Sequence, residues 1–383
     1  YVGDKRDDKI NLSIGVYRDE RGKPFIPPSV VKCEQMLIKQ NPHKEYAPIE
    51  GFADFRQTVA SFIFGEQSDV IGRTRHATVQ GLGGTGSLRI GAIFLYELQS
   101  HSKKVYIPEQ TWSAHNQVFS HSGFVVNHYR YWNSSTLSLD FNALMEDMET
   151  MIEYSVVVLH STAHNPTGND PTLDEWQQII RLMKRRHLFP FLDCAYQGFT
   201  SGSVEEDTRV IRLFAEQMDE LVIAFTFSKN MGLYGERIGA MSVVCRTSEE
   251  ADNVLTQLKR IIRPIYSHPP NWGARLVTLL LNDHQLKKEW FNDVKNMQTR
   301  ISDIRSQLVQ ELNRLSKGKY VWDFLLKQRG MFGFTGFTER QAIQLRHEFA
   351  IYIATDGRIN IAAINDTNIK KIANALHSIK TNG

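Results

Sequence analysis

The chain has 383 residues, of which 45 are basic and 42 acidic, and its formal net charge at pH 7 is +3. Its length exceeds the roughly 250 to 300 residues that one core usually holds, so we expect one large and one smaller domain. The small and dispersed charge argues against nucleic acid as a partner, because proteins that bind it concentrate basic residues on one face.

The three cysteines, Cys33, Cys194 and Cys245, are widely spaced. An odd number at this spacing fits neither a disulfide framework nor a zinc site, and it favours a reducing compartment. No apolar run reaches the ~20 residues of a membrane helix, and the opening stretch YVGDKRDDKI lacks the apolar core of a signal peptide. We therefore expect a cytoplasmic protein with neither a metal ion nor a membrane as partner.

A glycine-rich turn is the first informative element along the chain. Residues 79–92, VQGLGGTGSLRIGA, place Gly81, Gly83 and Gly86 in a G-x-G-x-x-G pattern between a strand-like run and a helical one. Glu109 ends the next strand-like run, about where a dinucleotide-binding domain carries its ribose-binding acid. Taken locally, this pattern favours a nicotinamide or flavin enzyme.

Short β-branched runs then alternate with amphipathic helical stretches: KKVYIPE, FVVNHYRY, YSVVVLHS, LFPFLDCA, LVIAFTFS and IGAMSVVC are the strand-like ones. This alternation predicts an α/β fold with a mostly parallel sheet covered on both faces. A helix is expected to begin at Thr172, because Thr172 and Glu175 form a capping-box pattern. A long charged helix should run from about Asp283 to about Lys317, and the remaining tail indicates a small separate α/β unit.

Three loops that follow strands carry polar side chains where α/β sheets place ligands, at the carboxyl ends of strands. They hold Asn165, then Asp193 with Tyr196, and finally Lys229 with Arg237. The apolar strand before Lys229 would disfavour its charge and favour a neutral, nucleophilic amine. Each residue taken alone has a simpler explanation, as a solvated lysine, a turn aspartate or a core tyrosine.

Eight segments resemble, in order, the motifs of the class I (fold type I) aminotransferases, most closely the aspartate branch: EYAPIEG, GGTGSLRIGA, TWSAH, AHNPTG, DCAYQGF, SKNMGLYGERIGA, IIRPIYSHPP and GRINIAAI. The resemblance extends from about Asn11 to Ile364. It implies a mostly parallel, seven-stranded type of sheet in a large cofactor domain, residues 25–296. A smaller α/β domain would combine both chain ends, residues 1–24 plus 297–383.

The resemblance implies pyridoxal 5'-phosphate (PLP) as the cofactor, with its phosphate at the glycine turn and no ribose for Glu109 to bind. Lys229 would bind the cofactor aldehyde covalently and later move a proton to and from the substrate Cα. Asp193 would pair with the pyridinium nitrogen and keep it protonated. His115 resembles the residue that supports this aspartate.

The remaining cofactor contacts implied by the resemblance fall into two groups. Tyr196 and Asn165 would hydrogen-bond the ring hydroxyl, and Trp112 would stack on the ring. The phosphate contacts would be Gly84, Thr85, Thr226 and Arg237, with Tyr46 reaching in from a second subunit.

Two arginines are implied as the substrate clamps. Arg358 would bind the α-carboxylate beside the backbone of Gly15, and Trp112 and Asn165 would also contact the substrate. Arg263, donated by the neighbouring subunit, would bind the distal carboxylate. Together they imply dicarboxylic amino acids and oxo acids as the substrates, and a homodimer with shared active sites. The expected reaction is transfer of the amino group of L-aspartate to 2-oxoglutarate by a ping-pong mechanism.

The chain departs from the family pattern at three positions. Gly83 and Thr226 stand where many relatives have serine, and His268 replaces the asparagine of the usual YSNPP. These departures leave open the affinity for the cofactor and the surroundings of Arg263.

Other functions remain open at this point. An aromatic-preferring aminotransferase or a decarboxylase would share the fold, although Arg263 disfavours both; a dual-specificity aminotransferase stays open. An NAD-dependent oxidoreductase would use the glycine pattern and Glu109 but would leave Lys229, Asp193 and Arg358 unexplained. A protein that binds the cofactor only to regulate or scaffold is a third class, because fold alone does not define function.

Overall fold

The computed structural model of the chain describes residues 1–98 and 102–382. Its strands are β1 (Ile10–Asn11), β2 (His76–Leu82), β3 (Lys104–Pro108), β4 (Val125–Tyr129), β5 (Trp132–Asn133), β6 (Ser138–Leu139), β7 (Val156–His160), β8 (Phe189–Cys194), β9 (Leu221–Thr226), β10 (Ile238–Val244), β11 (Phe332–Phe334), β12 (Ile351–Tyr352) and β13 (Arg358–Asn360). Its helices are α1 (Pro28–Lys39), α2 (Ala53–Phe64), α3 (Asp69–Gly72), α4 (Gly83–Leu98), α5 (Ala114–Ser120), α6 (Phe141–Thr150), α7 (Leu173–Arg185), α8 (Val204–Asp207), α9 (Arg209–Gln217), α10 (Ser248–Ile262), α11 (Asn271–Asn282), α12 (His284–Ser316), α13 (Phe324–Lys327), α14 (Glu339–Phe349) and α15 (Ile369–Asn382), with a 3₁₀ turn at Ile361–Ala363.

Seven strands form the central sheet, in the order β2-β10-β9-β8-β7-β3-β4. β10 runs antiparallel to both of its neighbours, and the other pairs are parallel. Every residue of β7, β9 and β10 is buried, as a sheet covered on both faces requires. The prediction of a mostly parallel, seven-stranded sheet in an α/β fold is confirmed.

Successive residues of the central strands supply two different hydrophobic cores. Val157 and Leu159 of β7 pack into the larger cluster on one face, whereas Val156 and Val158 pack into the cluster on the other face. This alternation follows from the two-residue period of a strand. Both faces are therefore closed, and polar ligands can approach the sheet only at its ends.

The helix ends agree with the sequence prediction. The Thr172 side chain accepts from the backbone N–H of Glu175, and the Glu175 side chain accepts from the backbone N–H of Thr172, so α7 has a complete capping box. α12 is a single helix of 33 residues whose cap is Asp283. Both predicted helices are confirmed at their starting residues.

The two chain ends pack together around a third hydrophobic cluster. β1 pairs in parallel with β12, placing Ile10 opposite Ile351, and β11 pairs antiparallel with β13. α12 continues without a break across the predicted domain boundary between residues 296 and 297. The division into residues 25–296 and residues 1–24 plus 297–383 stays a prediction. Among the helices of the described ranges, none combines the length and apolarity needed to cross a membrane.

Candidate active site

One cavity at the carboxyl ends of the parallel strands collects most of the predicted site residues. Those that line it are Gly15, Gly84, Thr85, Trp112, Asn165, Asp193, Tyr196, Thr226, Lys229, Arg237 and Arg358. They come from the strand ends of the central sheet, from the start of α4 and from both ends of the chain. The three remaining predicted residues, His115, Tyr46 and Arg263, do not line it.

The glycine turn is built to receive an anion. β2 ends at Leu82 and α4 begins at Gly83, so the backbone N–H groups of the first helical turn face the cavity end of the sheet. Gly83 has a φ of +65°, and a Cβ atom there would lie 2.6 Å from Nη2 of Arg237. Glycine therefore lets the guanidinium lie against the helix N-terminus. With the Thr85 and Thr226 hydroxyls, this donor set fits a phosphate dianion.

Lys229 follows β9 and its Nζ lies 5.0 Å from the centroid of the Tyr196 ring. Burial lowers the pKa of Lys229 to about 8, with the nearby charges of Arg237 and Arg358 acting in the same direction and Asp193 opposing them. A substantial fraction of the amine is thus neutral slightly above neutral pH. Neutral amines are nucleophiles and proton acceptors, which is the chemistry expected of this lysine.

A directional chain of hydrogen bonds ends on Asp193. The backbone N–H of Asn165 donates to Nδ1 of His160 at 3.4 Å, which leaves Nε2 of His160 to donate to the Thr111 hydroxyl at 3.0 Å. That hydroxyl donates to Nδ1 of His115 at 2.8 Å, and Nε2 of His115 donates to Oδ2 of Asp193 at 3.2 Å. The fixed donor at one end and the carboxylate at the other set both histidine tautomers.

This chain keeps the Asp193 carboxylate ionised. Burial raises its pKa, but the hydrogen bond from His115 and the nearby charge of Lys229 act against burial, and the pKa lies below the ordinary value. Burial, together with the charges of His164 and His115, holds the pKa of His160 well below its usual range, so that imidazole stays neutral. Asp193 lines the cavity as an anion that can hold a cationic N–H.

Arg358, at the start of β13, joins three distant segments of the chain. Its Nη1 donates to Oδ1 of Asn165 at 2.9 Å, and its Nη2 donates to the carbonyl oxygen of Ser13 at 2.8 Å. The guanidinium lies 4.2 Å from the Phe332 ring centroid. Its Nε atom is buried and has no hydrogen-bond partner in the described part of the chain. Arg358 lines the cavity, and its guanidinium charge suits a carboxylate.

The ring contacts expected around the cofactor also meet here. Nδ2 of Asn165 donates to the Tyr196 hydroxyl at 3.5 Å. Burial raises the pKa of Tyr196 above its ordinary value, so the phenol keeps its proton and can donate. Trp112 also lines the cavity, and its ring stands perpendicular to that of His115, with the centroids 5.4 Å apart.

Tyr46 and Arg263 lie together outside the cavity. Both contact His268: the Tyr46 ring centroid is 5.0 Å from the imidazole, and Nη1 of Arg263 is 3.0 Å from Nε2. Tyr46 is 76% exposed, although it is a large aromatic residue. Tyr46 and Arg263 are therefore exposed and do not line the cavity of their own chain. They are also the two residues that the resemblance assigns to the active site of a second subunit.

The sequence did not single out several residues of the cavity wall: Leu88, Ala195, Ser228, Tyr234 and Phe332. Tyr234 stands in the predicted loop after Lys229, and its hydroxyl accepts from the backbone N–H of Tyr17. The sequence could have indicated Tyr234, because it lies within the segment SKNMGLYGERIGA. The sequence contained no signal for Phe332, because a phenylalanine in a strand usually belongs to a hydrophobic core. Glu109 does not line the cavity.

Comparisons with known proteins identify the family. The model of the family "Aminotransferase class I and II" matches residues 7–376. The mitochondrial aspartate aminotransferase of Gallus gallus is 43% identical over 98% of this chain and 89% of its own length, and the cytoplasmic one of Oryza sativa subsp. japonica is 46% identical over 100% and 93%. An aromatic-amino-acid aminotransferase from Burkholderia pseudomallei, solved with covalently bound pyridoxal phosphate, superposes with a TM-score of 0.94 at 38% identity, over 99% of this chain and 94% of that one. The chain belongs to the class I and II aminotransferases.

Proposed function

We propose that this chain is a PLP-dependent aspartate aminotransferase, which transfers the amino group of L-aspartate to 2-oxoglutarate and yields oxaloacetate and L-glutamate. The observation that carries the proposal is the meeting of Lys229, Asp193 and Arg358 on one cavity wall. An amine of lowered pKa, a buried carboxylate and a guanidinium are the three groups that amino-acid transamination on PLP requires.

The donor set of the cavity fits PLP. The N-terminus of α4, Thr85, Thr226 and Arg237 would hold its phosphate, and the Asp193 carboxylate would hold its ring nitrogen in the protonated form. When bound, PLP supplies an acceptor for the electrons released as bonds to the substrate Cα break. Its covalent partner would be Nζ of Lys229.

The ε-amine of Lys229 is also the proton carrier. Its pKa of about 8 lets Nζ take a proton from the substrate Cα and return one at physiological pH. The Asp193 carboxylate keeps its charge during this exchange, because the hydrogen-bond chain through His115 holds it ionised. Asn165 and Tyr196, which line the same cavity, would hydrogen-bond the ring hydroxyl of the cofactor.

Two arginines set the substrate class. Arg358, whose guanidinium lines the cavity, would bind the α-carboxylate. Arg263 would bind the distal carboxylate of a substrate in the neighbouring subunit, with Tyr46 beside it, since both lie outside their own cavity. The proposed assembly is a homodimer with shared active sites, and its substrates are dicarboxylic amino acids and oxo acids.

A second candidate is an aromatic or dual-specificity aminotransferase. The Burkholderia pseudomallei enzyme, named for aromatic substrates, has the same fold at 38% identity. Arg263 favours the dicarboxylate assignment, because an aromatic substrate has no distal charge to pair with it. The relative activities on aspartate and phenylalanine decide between the two.

The cytoplasm stays a prediction for the location. Cys33, Cys194 and Cys245 are free and buried, which supports a reducing compartment. Relatives named for the cytoplasm and for the mitochondrion both match the chain over nearly its whole length.

Initial-rate kinetics test the proposed reaction. With aspartate and 2-oxoglutarate both varied, the double-reciprocal lines should be parallel, because the amino group stays with the protein between two half-reactions. Intersecting lines would show that both substrates must be bound together, and they would contradict the proposal.

A further inference from the structure

His268 stands where the family pattern has asparagine, and it contacts two segments at once. Its Nδ1 lies 2.7 Å from the carbonyl oxygen of Ala47, and its Nε2 lies 3.0 Å from Nη1 of Arg263. Its ring also packs on Tyr46, with the centroids 5.0 Å apart at an angle of 31°. One side chain therefore joins the two residues that the proposed function assigns to the neighbouring active site.

The partners of His268 define its tautomer. A carbonyl oxygen can only accept, so Nδ1 carries the proton and donates to Ala47. Nε2 of the neutral ring then has a free lone pair, and it accepts the hydrogen bond from Arg263. The other partner of the same guanidinium nitrogen is the Ser267 hydroxyl, at 3.1 Å. Among the described residues, a hydroxyl and a neutral imidazole, rather than a carboxylate, hold the Arg263 guanidinium.

The loop that carries His268 is tied to the sheet on both sides. The Tyr266 hydroxyl donates to the carbonyl oxygen of Gln80 at 2.7 Å, and Nε2 of Gln80 donates to the carbonyl oxygen of Pro270 at 2.7 Å. Gln80 lies in β2 and is fully buried. Because both flanks of His268 are fixed to one buried residue, the imidazole is a fixed support for the side chain of an exposed arginine.

The elements packed around His268 carry further charged and titratable groups: His43, Lys44, Glu45, Glu50, Lys259, Tyr266 and Arg275. Glu50 forms an ion pair with Lys259 at 3.4 Å, and Arg275 donates to His43. The Glu45 carboxylate accepts from the backbone N–H of Tyr46. Arg263 is the charged group that the described structure places in hydrogen-bond contact with the imidazole.

We propose that His268 is a positioning residue for substrate specificity: its neutral imidazole aims the Arg263 guanidinium at the distal carboxylate of the substrate. The inference rests on the proposed function, because it needs Arg263 to bind that carboxylate. Its new content is that the histidine supplies an acceptor at Nε2, and that this acceptor exists only in the unprotonated ring.

Protonation would reverse the contact. A proton on Nε2 places a cationic N–H against the N–H of Arg263, so the hydrogen bond is lost and two positive charges face each other. Preference for dicarboxylic substrates should therefore weaken as the pH falls. The ratio of kcat/KM for aspartate to that for phenylalanine isolates this effect, because ionisations shared by the two substrates cancel in it.

Two substitutions separate the acceptor from the ring. His268→Gln keeps an acceptor oxygen within reach of Arg263, whereas His268→Phe keeps a ring against Tyr46 and removes the acceptor. We expect His268→Phe to lower the aspartate-to-phenylalanine ratio about tenfold or more, the effect of one charge-assisted hydrogen bond, and His268→Gln to lower it about threefold or less. The wild-type ratio should fall as the pH is lowered, and that of His268→Gln should stay level.

Binding of succinate provides a readout without turnover, because this dicarboxylate has no amino group to transfer. Calorimetry on the PLP-loaded protein should show weaker succinate binding for His268→Phe than for His268→Gln. His128→Phe, at an exposed position of the edge strand β4, is the matched control and should match the wild type in both measurements.

The variant Arg263→Ala distinguishes failure of the dicarboxylate assignment from failure of the inference about His268. If it lowers activity on aspartate and phenylalanine equally, the dicarboxylate assignment and this inference both fall. If Arg263→Ala is selective for aspartate but His268→Phe keeps the wild-type ratio and succinate affinity, only the inference is overturned. Equal losses in His268→Gln and His268→Phe, or a wild-type ratio that does not change with pH, would also overturn it.

Discussion

Nη1 of Arg358 donates a hydrogen bond to Oδ1 of Asn165 at 2.9 Å. Arg358 begins β13 near the end of the chain, while Asn165 lies in the loop after β7 of the central sheet. The same guanidinium also donates to Ser13, close to the first strand. One arginine therefore joins both chain ends to the sheet at the cavity.

Replacement of the two substrate arginines should have different consequences. Arg358→Ala should depress kcat/KM for aspartate, glutamate, alanine and phenylalanine alike, since all have an α-carboxylate. Arg263→Ala should lower only the values for aspartate and glutamate, by about 100-fold or more, because an unpaired buried carboxylate costs on the order of 3 to 5 kcal/mol.

The matched control for this panel is Arg260→Ala. Arg260 is an exposed arginine in the last turn of α10, three positions before Arg263, and it forms an ion pair with Glu97. Its replacement should leave all four kcat/KM values close to those of the wild type. An equal loss on dicarboxylic and neutral substrates in Arg263→Ala would make that arginine structural.

In the protein without cofactor, the buried amine of Lys229 should lower the free energy of unfolding. Burial lowers its pKa from 10.5 to about 8 in the folded chain. The unfolded chain then binds the proton more tightly, so stability is lost as the pH falls from about 10.5 to about 8, and the loss is complete below that range. Lys229→Met should therefore raise the free energy of unfolding of the apoprotein at pH 7 by about 1 to 3 kcal/mol.

Urea unfolding of the apoprotein at pH 7 and at pH 10 measures this difference. The gain from Lys229→Met should be smaller at pH 10, where the cost of the charge has nearly gone. Lys288→Met, at an exposed position of α12, is the control and should show no such pH dependence. A Lys229→Met protein that is less stable than the wild type at pH 7 would contradict the buried-amine account.

Shared active sites predict complementation between two inactive proteins. Lys229→Ala and Arg263→Asp should each lack aspartate activity, but in a mixed dimer one site would have both defects and the other neither. Unfolding and refolding the two together should restore part of the activity on aspartate. A mixed dimer verified by mass that stays inactive would place both residues in the site of one subunit.

Much of this arrangement was predictable because it depends on local pattern. Thr172 and Glu175 define a helix start through neighbours three residues apart. Asp193 and Lys229 could be placed near each other because the strands before them end at the same edge of a parallel sheet. The glycine turn was harder to interpret, since a dinucleotide and PLP both present a phosphate to the same turn and helix N-terminus.

The rest depends on how distant segments meet. Nothing near Thr111 in the sequence indicates that its hydroxyl links His115 to His160. The contact of Tyr46 with His268 requires the path of two loops more than 200 residues apart. The sequence marked His268 as a departure from a pattern beside Arg263, whereas its hydrogen-bond partners come only from the structure.

A single half-reaction tests the central claim most directly. PLP-loaded protein mixed with L-aspartate, in the absence of 2-oxoglutarate, should release about one oxaloacetate per subunit and change its visible absorbance as the amino group stays behind. Lys229→Ala should lower the rate of this release by several orders of magnitude. Failure to release oxaloacetate until 2-oxoglutarate is added, or release by Lys229→Ala at the wild-type rate, would contradict the account.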